Sequence, residues 1–297
     1  MTLLDKKFFG SLQASYSRLT PGEKLVAEYL SANLQVAAFM TCSELGKASG
    51  VSETTVIRLA GTLGYSGYSE LKKAMQKLVR KSLSTSDQLD STIRNIGQAG
   101  YLNEIYELDQ QNLSQTFYLN STQDIEQAVT MMCRAGKLII AGLGLSTGVV
   151  RFLSGRLRRI KKDVIEINAT GHVLVEKMAM ATGEDLLIAF SFPSYSKDMP
   201  KVFRHMKEEL GGKTMLISDS RVGETQRFAD LVLLAVSDSL AFTNSMVAPF
   251  MLANMLSVGV ALQNQEGSLE QLRKNQLLAD TLGHSFSSFK GDGFDEK

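Results

Sequence analysis

Hydrophobic residues in the first 83 positions recur every three or four places, and polar turns separate the repeats. This spacing predicts short amphipathic helices, each with one buried face. The clearest pair lies between Thr41 and Leu63, where Leu45 belongs to one helix and Val56 and Leu59 belong to the next. We therefore expect a bundle of helices at the start of the chain.

From Lys137 onward the pattern changes to short apolar runs that alternate with amphipathic segments. Such runs predict parallel β-strands joined by helices, and their lack of strict alternation indicates burial on both faces. The predicted strands are 137–144, 164–168, 185–192, 213–218 and 230–236. The expected fold has two domains, an all-α helix-turn-helix bundle and then an α/β domain with a doubly wound, five-stranded parallel sheet.

Glycine and capping residues mark the ends of the predicted helices. The pairs Thr20–Glu23 and Thr41–Glu44 have the spacing of a capping box, in which threonine and carboxylate each bond a free backbone N–H. Gly50 falls in the turn between the paired helices, where a positive φ is needed. Ser52 follows as an N-cap for the second helix.

The segment 41–63 has the spacing of a helix-turn-helix motif that binds DNA. In such motifs the N-terminal part of the second helix enters the major groove, where short hydroxyls and a guanidinium meet base edges and phosphates. A helical hairpin in another kind of bundle would have similar spacing. The residues expected to contact DNA are Thr41, Lys47, Ser52, Thr54, Thr55, Arg58, Tyr68, Lys72 and Lys73.

The distribution of charge favours DNA binding. Residues 1–83 contain 11 Lys and Arg against 6 Asp and Glu, whereas the remaining residues contain 21 against 25. The formal net charge of +1 therefore hides a basic first part and a mildly acidic second part. Neutralisation of DNA phosphates requires such a basic surface. The lysines that follow Tyr68 fit an ordinary solvated helix face equally well.

A resemblance to the RpiR/MurR family of bacterial transcriptional regulators is carried by the run LTPGEKLVAEYLSANLQVAAFMTCSELGKASGVSETTVIRLAGTLGYSGYSELKKAM, and it covers nearly all of residues 3–80. In that family a sugar isomerase (SIS) domain follows the DNA-binding domain, so the resemblance implies a SIS domain here. The expected organisation is a DNA-binding domain at 1–81, a polar linker with a connecting helix (103–120) at 82–122, a SIS domain for effector binding and oligomerisation at 123–265, and a C-terminal helix and tail at 266–297.

Length and composition agree with two domains. The 297 residues are 44% hydrophobic and 21% charged, as in ordinary globular proteins. Cys42 and Cys133 lack metal-site spacing and are expected as free thiols in a reducing cytoplasm. Residues 1–17 mix charged and apolar positions, which predicts an amphipathic helix rather than a signal peptide. The apolar stretch 242–262 contains Asn and Pro and is expected to form a buried helix.

The loop after the first strand, from Gly142 to Gly148, has the sequence GLGLSTG. A dinucleotide fingerprint would need a glycine where Thr147 stands, so a nucleotide cofactor is not expected. The order GxGxS resembles the SIS loop, in which glycines let the backbone approach a phosphate and Ser146 offers a hydroxyl beside a helix N-terminus. Ser146 is also a candidate helix cap, and the two roles are compatible. Gly142, Gly144 and Ser146 are therefore expected to bind an effector.

The loop after the third strand departs from the family pattern. SIS domains commonly carry a Ser-x-Ser-Gly-x-Thr type run there, whose hydroxyls hold a sugar phosphate. This chain has Ser191-Phe192-Pro193-Ser194-Tyr195-Ser196, and Pro193 has neither a hydroxyl nor an N–H to donate. The ligand could therefore be bulkier, less phosphorylated or not phosphorylated. The effector-binding candidates in this loop are Ser191, Ser194, Tyr195 and Ser196.

Other polar groups have weaker patterns. Glu166 and Glu176 lie in no arrangement typical of a general acid and base. His172 is a candidate effector contact or helix cap, and 218–220 is a candidate sugar contact or a plain turn. The basic run 156–162 closes a helix, where the dipole favours cations. No catalytic residue, metal ligand or cofactor is expected.

Together these features predict a cytoplasmic bacterial transcription factor that binds a double-stranded DNA operator as a dimer or tetramer and does not bind membranes. A sugar phosphate or related carbohydrate derivative in the sheet-edge pocket would shift it between conformations. Repression of carbohydrate metabolism genes is the expected outcome. Two alternatives stay open: a sugar-phosphate isomerase with an accessory helical domain, and a regulator whose SIS domain only dimerises.

Overall fold

The computed structural model of the chain describes residues 12, 15–82, 85–160, 163–240 and 242–284. The chain divides into two compact units. The first contains Met1–Ala99 together with Leu240–Phe242, and the second contains Gly100–Ser239 and Thr243–Lys297. Most of the predicted N-terminal helix at 1–17 and the tail after residue 284 fall outside the described residues.

The first unit is helical, as the spacing of apolar residues predicts. A 3-10 turn at Tyr16–Arg18 precedes α1 (Pro21–Ala37), α2 (Cys42–Ser49), α3 (Glu53–Thr62) and α4 (Tyr68–Ser82). Both predicted capping boxes form, at the starts of α1 and α2. The buried faces of the four helices share one core, in which the fully buried side chains include Leu30, Leu45, Leu59, Leu71 and Met75.

A long helix, α5, spans Thr85–Leu119 and extends well beyond the helix expected at 103–120. Exposed apolar residues such as Ile93, Leu102 and Tyr106 lie among its polar ones, so its sequence lacks one clean apolar stripe. The polar residues at 85–87, which belong to the predicted linker and precede its expected helix, instead begin α5. Asp87 lies in the first turn, where the helix dipole favours a carboxylate.

The second unit is built on a parallel sheet. Its strands, each within the predicted range, are β1 (Leu138–Ala141), β2 (Val164–Ile167), β3 (Leu186–Ser191), β4 (Lys213–Ser218) and β5 (Leu231–Leu234). Their order in the sheet is β2-β1-β3-β4-β5, and all neighbouring pairs are parallel. The predicted doubly wound, five-stranded sheet is confirmed. From β1 the chain adds β2 on one side and β3, β4 and β5 on the other, so the strand order switches between β1 and β3. Ligands of such sheets bind beside this switch point, at the carboxyl ends of the strands.

Helices cover both faces of the sheet. They are α6 (Thr122–Arg134), α7 (Ser146–Leu157), α8 (His172–Met178), α9 (Met199–Arg204) and α10 (Val247–Gln263), with short turns at His205–Glu209 and Thr225–Phe228. A mostly exposed helix, α11 (Gln265–Thr281), follows α10 and contacts it. Successive strand residues point to opposite faces. Ile140 therefore packs with residues of α6, α7 and α10, whereas Ile139 packs with residues of α8 and α9.

The apolar stretch predicted as a buried helix at 242–262 forms α10, which buries Leu252, Leu256 and Val260. Within the described parts of the chain, no single helix is long and apolar enough to cross a membrane. The pair α10 and α11 reaches the necessary length and apolarity only when taken together, and the two helices meet at a bend of 102°.

Candidate functional site

The helices α2 and α3 cross closely, and two glycines allow this. A Cβ added at Gly46 would lie 2.9 Å from the Val51 carbonyl oxygen, so a larger residue would push the helices apart. Gly50 ends α2 with a φ of 72°, a left-handed conformation that favours glycine. Ser52 caps α3, because its hydroxyl accepts the Thr55 N–H at 3.3 Å. The helix-turn-helix geometry therefore follows the predicted spacing.

One side of α3 is buried and the other is exposed. The buried stripe consists of Val56, Leu59 and Ala60. We use the name recognition face for four exposed residues that share the opposite side at intervals of three or four positions: Thr54, Ile57, Arg58 and Gly61.

Ile57 is a candidate that sequence reasoning missed. Half of its side chain is exposed, in a helix whose other aliphatic residues are mostly buried. Its position three residues after Thr54 was the available signal. An exposed aliphatic side chain on such a face can contact a thymine methyl group.

Several predicted DNA contacts also hold the first unit together. The Arg58 guanidinium donates to the Thr20 hydroxyl at 3.2 Å and lies 3.8 Å from the Glu23 carboxylate, although 59% of its side chain is exposed. The Thr55 hydroxyl lies 3.0 Å from that of Ser52, and the Thr41 hydroxyl belongs to the capping box of α2. These contacts orient the polar side chains before any ligand is present.

The start of α4 contacts the turn before α2. The Tyr68 hydroxyl donates to the Met40 carbonyl at 2.9 Å, and the Lys72 ammonium donates to the Phe39 carbonyl at 3.1 Å. Burial, with Cys42 and Glu44 acting in the same direction, raises the pKa of Tyr68 to about 12.

The other two predicted cations, Lys47 and Lys73, are both exposed. Of the predicted lysines, these two are therefore the more available to a phosphate, because the Lys72 ammonium already bonds a carbonyl.

In the second unit, the loop after β1 lies against the end of β3. A Cβ added at Gly142 would lie 2.7 Å from the Val150 side chain, 3.0 Å from Ser146 Cβ and 3.4 Å from the Phe190 carbonyl oxygen. Glycine is needed there so that the loop and β3 can approach each other.

The remainder of this loop leads into α7. Gly144 has a φ of 59°, and Ser146 is buried as the first residue of the helix. Leu145 occupies the N-cap position, without a side-chain hydrogen bond. The Ser146 hydroxyl therefore does not cap the helix in the way the sequence suggested.

Two buried serines end neighbouring strands, because Ser191 of β3 pairs in register with Ser218 of β4. Ser218 Oγ has no hydrogen-bond partner among the described residues. Leaving a buried hydroxyl without a partner costs about 1–3 kcal/mol, and a ligand oxygen at this edge would relieve that cost. Two other hydroxyls share this state, but Ser154 and Ser268 lie within helices rather than at a strand end.

The loop after β3 keeps a backbone shape suited to glycine. Ser194 stands where the resemblance implies glycine, and it has a φ of 75°. The Pro193 carbonyl accepts a hydrogen bond from Asn244 Nδ2 at 3.1 Å. The Ser196 hydroxyl accepts the Asp198 N–H at 3.1 Å. The residues that differ from the usual SIS run therefore change the hydrogen-bond donors of this loop, while contacts within the second unit hold its backbone in place.

Tyr195 connects the loops that follow β3 and β4. Its hydroxyl donates to the Asp219 carboxylate. Burial, the charge of Asp219 and this hydrogen bond raise the pKa of Tyr195 well above its ordinary value of 10.0. The phenol is therefore protonated at neutral pH, and one side of it remains exposed.

Other charged candidates serve the packing of the second unit. Glu166 pairs with Arg158 at 2.7 Å, and Arg156 donates to the Ser257 hydroxyl at 2.6 Å. The described part of the run 156–162 therefore makes structural contacts, and residues 161–162 lie outside the described residues. His172 and Glu176 are exposed on α8.

Two family profiles match the chain. One is described as a helix-turn-helix domain of the rpiR family and matches residues 7–82, and the other is the SIS domain and matches residues 131–259.

Relatives of known sequence are named as regulators. The HTH-type transcriptional regulator YfhH of Escherichia coli is 24% identical over 279 residues, which are 91% of this chain and 98% of YfhH. The HTH-type transcriptional regulator HexR of Pseudomonas aeruginosa is 25% identical over 212 residues, which are 71% of this chain and 72% of HexR.

Solved structures show the same fold. The sugar isomerase domain of an RpiR transcription factor from Sphaerobacter thermophilus is 30% identical, with a TM-score of 0.55 over 58% of this chain and 95% of that one. The Vibrio vulnificus NanR protein is 20% identical, with a TM-score of 0.56 over 95% of this chain and 99% of NanR.

Proposed function

Because this chain belongs to the RpiR family of transcriptional regulators, with a helix-turn-helix domain and a SIS domain, we propose that it represses carbohydrate metabolism genes in the cytoplasm of a bacterium. A sugar phosphate or related carbohydrate derivative, bound at the carboxyl ends of the strands, controls its affinity for DNA. In this proposal, residues 1–81 bind DNA, 82–122 connect the two parts, 123–265 bind the effector and join copies of the chain, and 266–297 form the C-terminal helix and tail.

The DNA-binding half of the proposal rests on the recognition face and on the basic surface around it. Short hydroxyls, an aliphatic side chain and a guanidinium on one helix can meet base edges in the major groove. Two or more copies would bind a partly symmetric operator whose half-sites lie about one helical turn, or a multiple of it, apart. The proposed DNA contacts are the nine predicted residues, Thr41, Lys47, Ser52, Thr54, Thr55, Arg58, Tyr68, Lys72 and Lys73, with Ile57 added.

The effector half rests mainly on the hydroxyl of Ser218, which has no partner among the described residues and lies beside Ser191 at the carboxyl ends of β4 and β3. NanR, whose fold is similar, is described as complexed with ManNAc-6P, and this supports a phosphorylated sugar as the ligand class. The proposed ligand contacts are Gly142, Gly144, Ser146, Ser191, Ser194, Tyr195 and Ser196, together with Ser218.

A gel-shift titration with the DNA upstream of the chain's own gene, at a stated salt concentration, tests the proposal. Selective binding that changes on addition of sugar phosphates is expected, and Thr54→Ala should weaken it without altering stability, because Thr54 is exposed. Absence of selective binding with and without sugars would overturn the proposal. Turnover of ketose or aldose phosphates, reduced in Ser146→Ala or Ser191→Ala, would instead indicate an isomerase.

A thermal-shift series separates ligand control from simple dimerisation. A ligand that binds the folded chain raises its stability by about 2.7 kcal/mol at a concentration one hundred times its Kd. We expect such a rise with at least one sugar phosphate. No rise across the series, combined with selective DNA binding, would mean that the SIS domain acts without a small-molecule effector.

A further inference from the structure

A polar stripe on α5 bonds the outer edge of the sheet. Asn112 and Thr116 lie on one side of α5, and Asn120 directly follows its last residue; all three are buried and stand at intervals of four residues. Asn120 donates to the Leu234 carbonyl at 2.7 Å and accepts the Leu234 N–H at 2.8 Å. Thr116 accepts the Val236 N–H at 2.8 Å. Asn120 and Thr116 thus bond main-chain groups at the end of β5 and just after it, as a neighbouring strand would.

The same stripe holds the segment between β5 and α10, residues 235–246. Asn112 donates to the Asp238 carbonyl at 2.7 Å. The Ser245 hydroxyl donates to the Asp109 carboxylate at 2.6 Å, one turn earlier on α5, and the Ser245 N–H donates to the Ser237 carbonyl at 3.1 Å. Both ends of this segment are therefore fixed to α5.

Asn244 contacts a different element from its neighbour Ser245. Its amide donates to the Pro193 carbonyl at 3.1 Å, in the loop after β3 that carries the candidate ligand contacts. Two consecutive residues therefore connect the ligand loop with α5, and any displacement of Pro193 acts on Asn244 directly.

The helix at the other end of this connection supplies residues to both units. α5 runs from Thr85 to Leu119 without interruption, and the division between the units falls after Ala99. Residues 240–242 of the segment itself also group with the first unit.

We propose that Asn244 and Ser245 couple the ligand loop to α5 and so transmit ligand binding to the DNA-binding unit, an inference that rests on the proposed function for its role in the cell. A ligand that engages Ser194 or Tyr195 shifts the Pro193 carbonyl, and Asn244 and Ser245 pass that shift to Asp109. A change in α5 at Asp109 and Asn112 then alters the helix whose first part belongs to the other unit.

Hydrogen exchange on the full chain, without DNA or sugar, tests the coupling directly. Ser245→Ala removes the bond to Asp109 and also a bond of 3.4 Å from the Val247 N–H. Asn244→Ala removes the bond to the Pro193 carbonyl. In α5 residues 105–112, Ser245→Ala should speed amide exchange by about fivefold, the effect of one net hydrogen bond, and Asn244→Ala by at least about twofold. Ser114→Ala, which removes an exposed hydroxyl from the same helix, should not speed it.

Each outcome decides the matter. Faster amide exchange in both Ser245→Ala and Asn244→Ala, with the wild-type rate in Ser245→Thr, supports the coupling. Exchange in α5 that is unchanged in both variants, or changed in Ser245→Ala alone, overturns it, because a local contact would then explain the result. Far-UV circular dichroism checks that each variant is folded, and Ser245→Thr keeps the hydroxyl if the alanine variant is not.

A second arm links the coupling to function. The probes are N-acetylmannosamine 6-phosphate and glucose 6-phosphate, and Ser245→Ala should bind sugar and operator separately as the wild type does. The change in operator affinity that the sugar causes should be smaller in Ser245→Ala than in the wild type by a factor of about five or more. A full response in Ser245→Ala contradicts the coupling. Failure of the wild-type chain to bind DNA overturns the proposed function instead, and the exchange result stands apart from it.

Discussion

Hydroxyl groups serve opposite purposes in the two units. In the first unit the hydroxyls of Thr20, Thr41 and Ser52 each accept a backbone N–H at a helix start. At the sheet edge of the second unit, the Ser218 hydroxyl is fully buried without a partner among the described residues. The helix-turn-helix is therefore fixed by its own contacts, whereas the end of β4 leaves a hydrogen-bonding group unused, which the proposed ligand would engage.

The largest expected effect tests how tightly the first unit is fixed. Gly46→Ala places a Cβ 2.9 Å from the Val51 carbonyl, which should destabilise the unit by about 2–3 kcal/mol and abolish DNA binding. Hydrogen exchange of peptides from α2 and α3 measures the loss. Gly61→Ala is the matched control, because nothing lies within 4 Å of its added Cβ, and higher helix propensity should make it neutral or stabilising by up to about 1 kcal/mol. Equal tolerance of both variants would contradict a close crossing.

A second test uses the buried carboxylate at the start of α1. The Thr20 hydroxyl lowers the pKa of Glu23 below its ordinary 4.5, and the Thr20 N–H, the Thr62 hydroxyl and Arg58 add to this, against an opposing effect of burial. A carboxylate whose pKa is lowered by folding stabilises the fold at any pH above its pKa in the unfolded chain. This contribution is lost as the pH falls through its pKa in the folded chain.

Glu23→Gln should therefore lower the stability of the first unit by about 1–2 kcal/mol at pH 7. Below pH 4.5 its difference from the wild type should shrink, since the wild type loses the same contribution there. Urea unfolding at several pH values, followed by circular dichroism, measures both. Glu28→Gln serves as the control, because Glu28 is exposed on the same helix and its carboxylate accepts the exposed Tyr16 hydroxyl rather than a cap. A constant difference across pH would show that charge is not the cause.

A third test removes the Ser218 hydroxyl and so sharpens the comparison between the two units. Ser218→Ala should leave stability unchanged or slightly raised and weaken binding of the most effective sugar phosphate by about fivefold, the effect of one hydrogen bond. Ser154→Ala removes another buried, unpartnered hydroxyl, but from within α7, so it should leave ligand affinity intact. Calorimetry gives the affinities. A clear loss of stability in Ser218→Ala would reveal an internal partner and remove the contrast.

The smallest effect concerns two neighbouring lysines. Lys73 is exposed, and if it neutralises a phosphate, Lys73→Ala should reduce the salt slope of DNA binding by about 1 for every sequence tested. Lys72 bonds the Phe39 carbonyl, so Lys72→Ala should mainly lower thermal stability. Gel shifts at several salt concentrations, with melting curves, compare the two. Identical behaviour of both variants would mean that the Phe39 contact does not distinguish them.

Local patterns explain how much of this fold could be predicted. Capping boxes, the positive φ of Gly50 and the strand ranges all depend on residues within a few positions of each other, and all were predicted correctly. Residues 85–102 of α5 were not predicted, because exposed apolar residues such as Ile93 and Leu102 leave this part without one clean apolar stripe. The bonds from Thr116 and Asn120 to Val236 and Leu234 could not be predicted either, because only the folded chain brings these residues together.

The candidate site was less predictable for the same reason. Arg58 and Tyr68 were selected as DNA contacts from residue type, yet their partners lie elsewhere in the unit, Thr20 at the cap of α1 and Met40 in the turn before α2. Ser218 gained significance only from its register with Ser191 and from its lack of a partner.

The stripe of Asn112, Thr116 and Asn120 also restricts how copies of this chain assemble. An open strand edge can be extended by a strand from another molecule, but here side chains already occupy the main-chain groups of Leu234 and Val236. These groups at the end of β5 are therefore not available to a strand from a second copy.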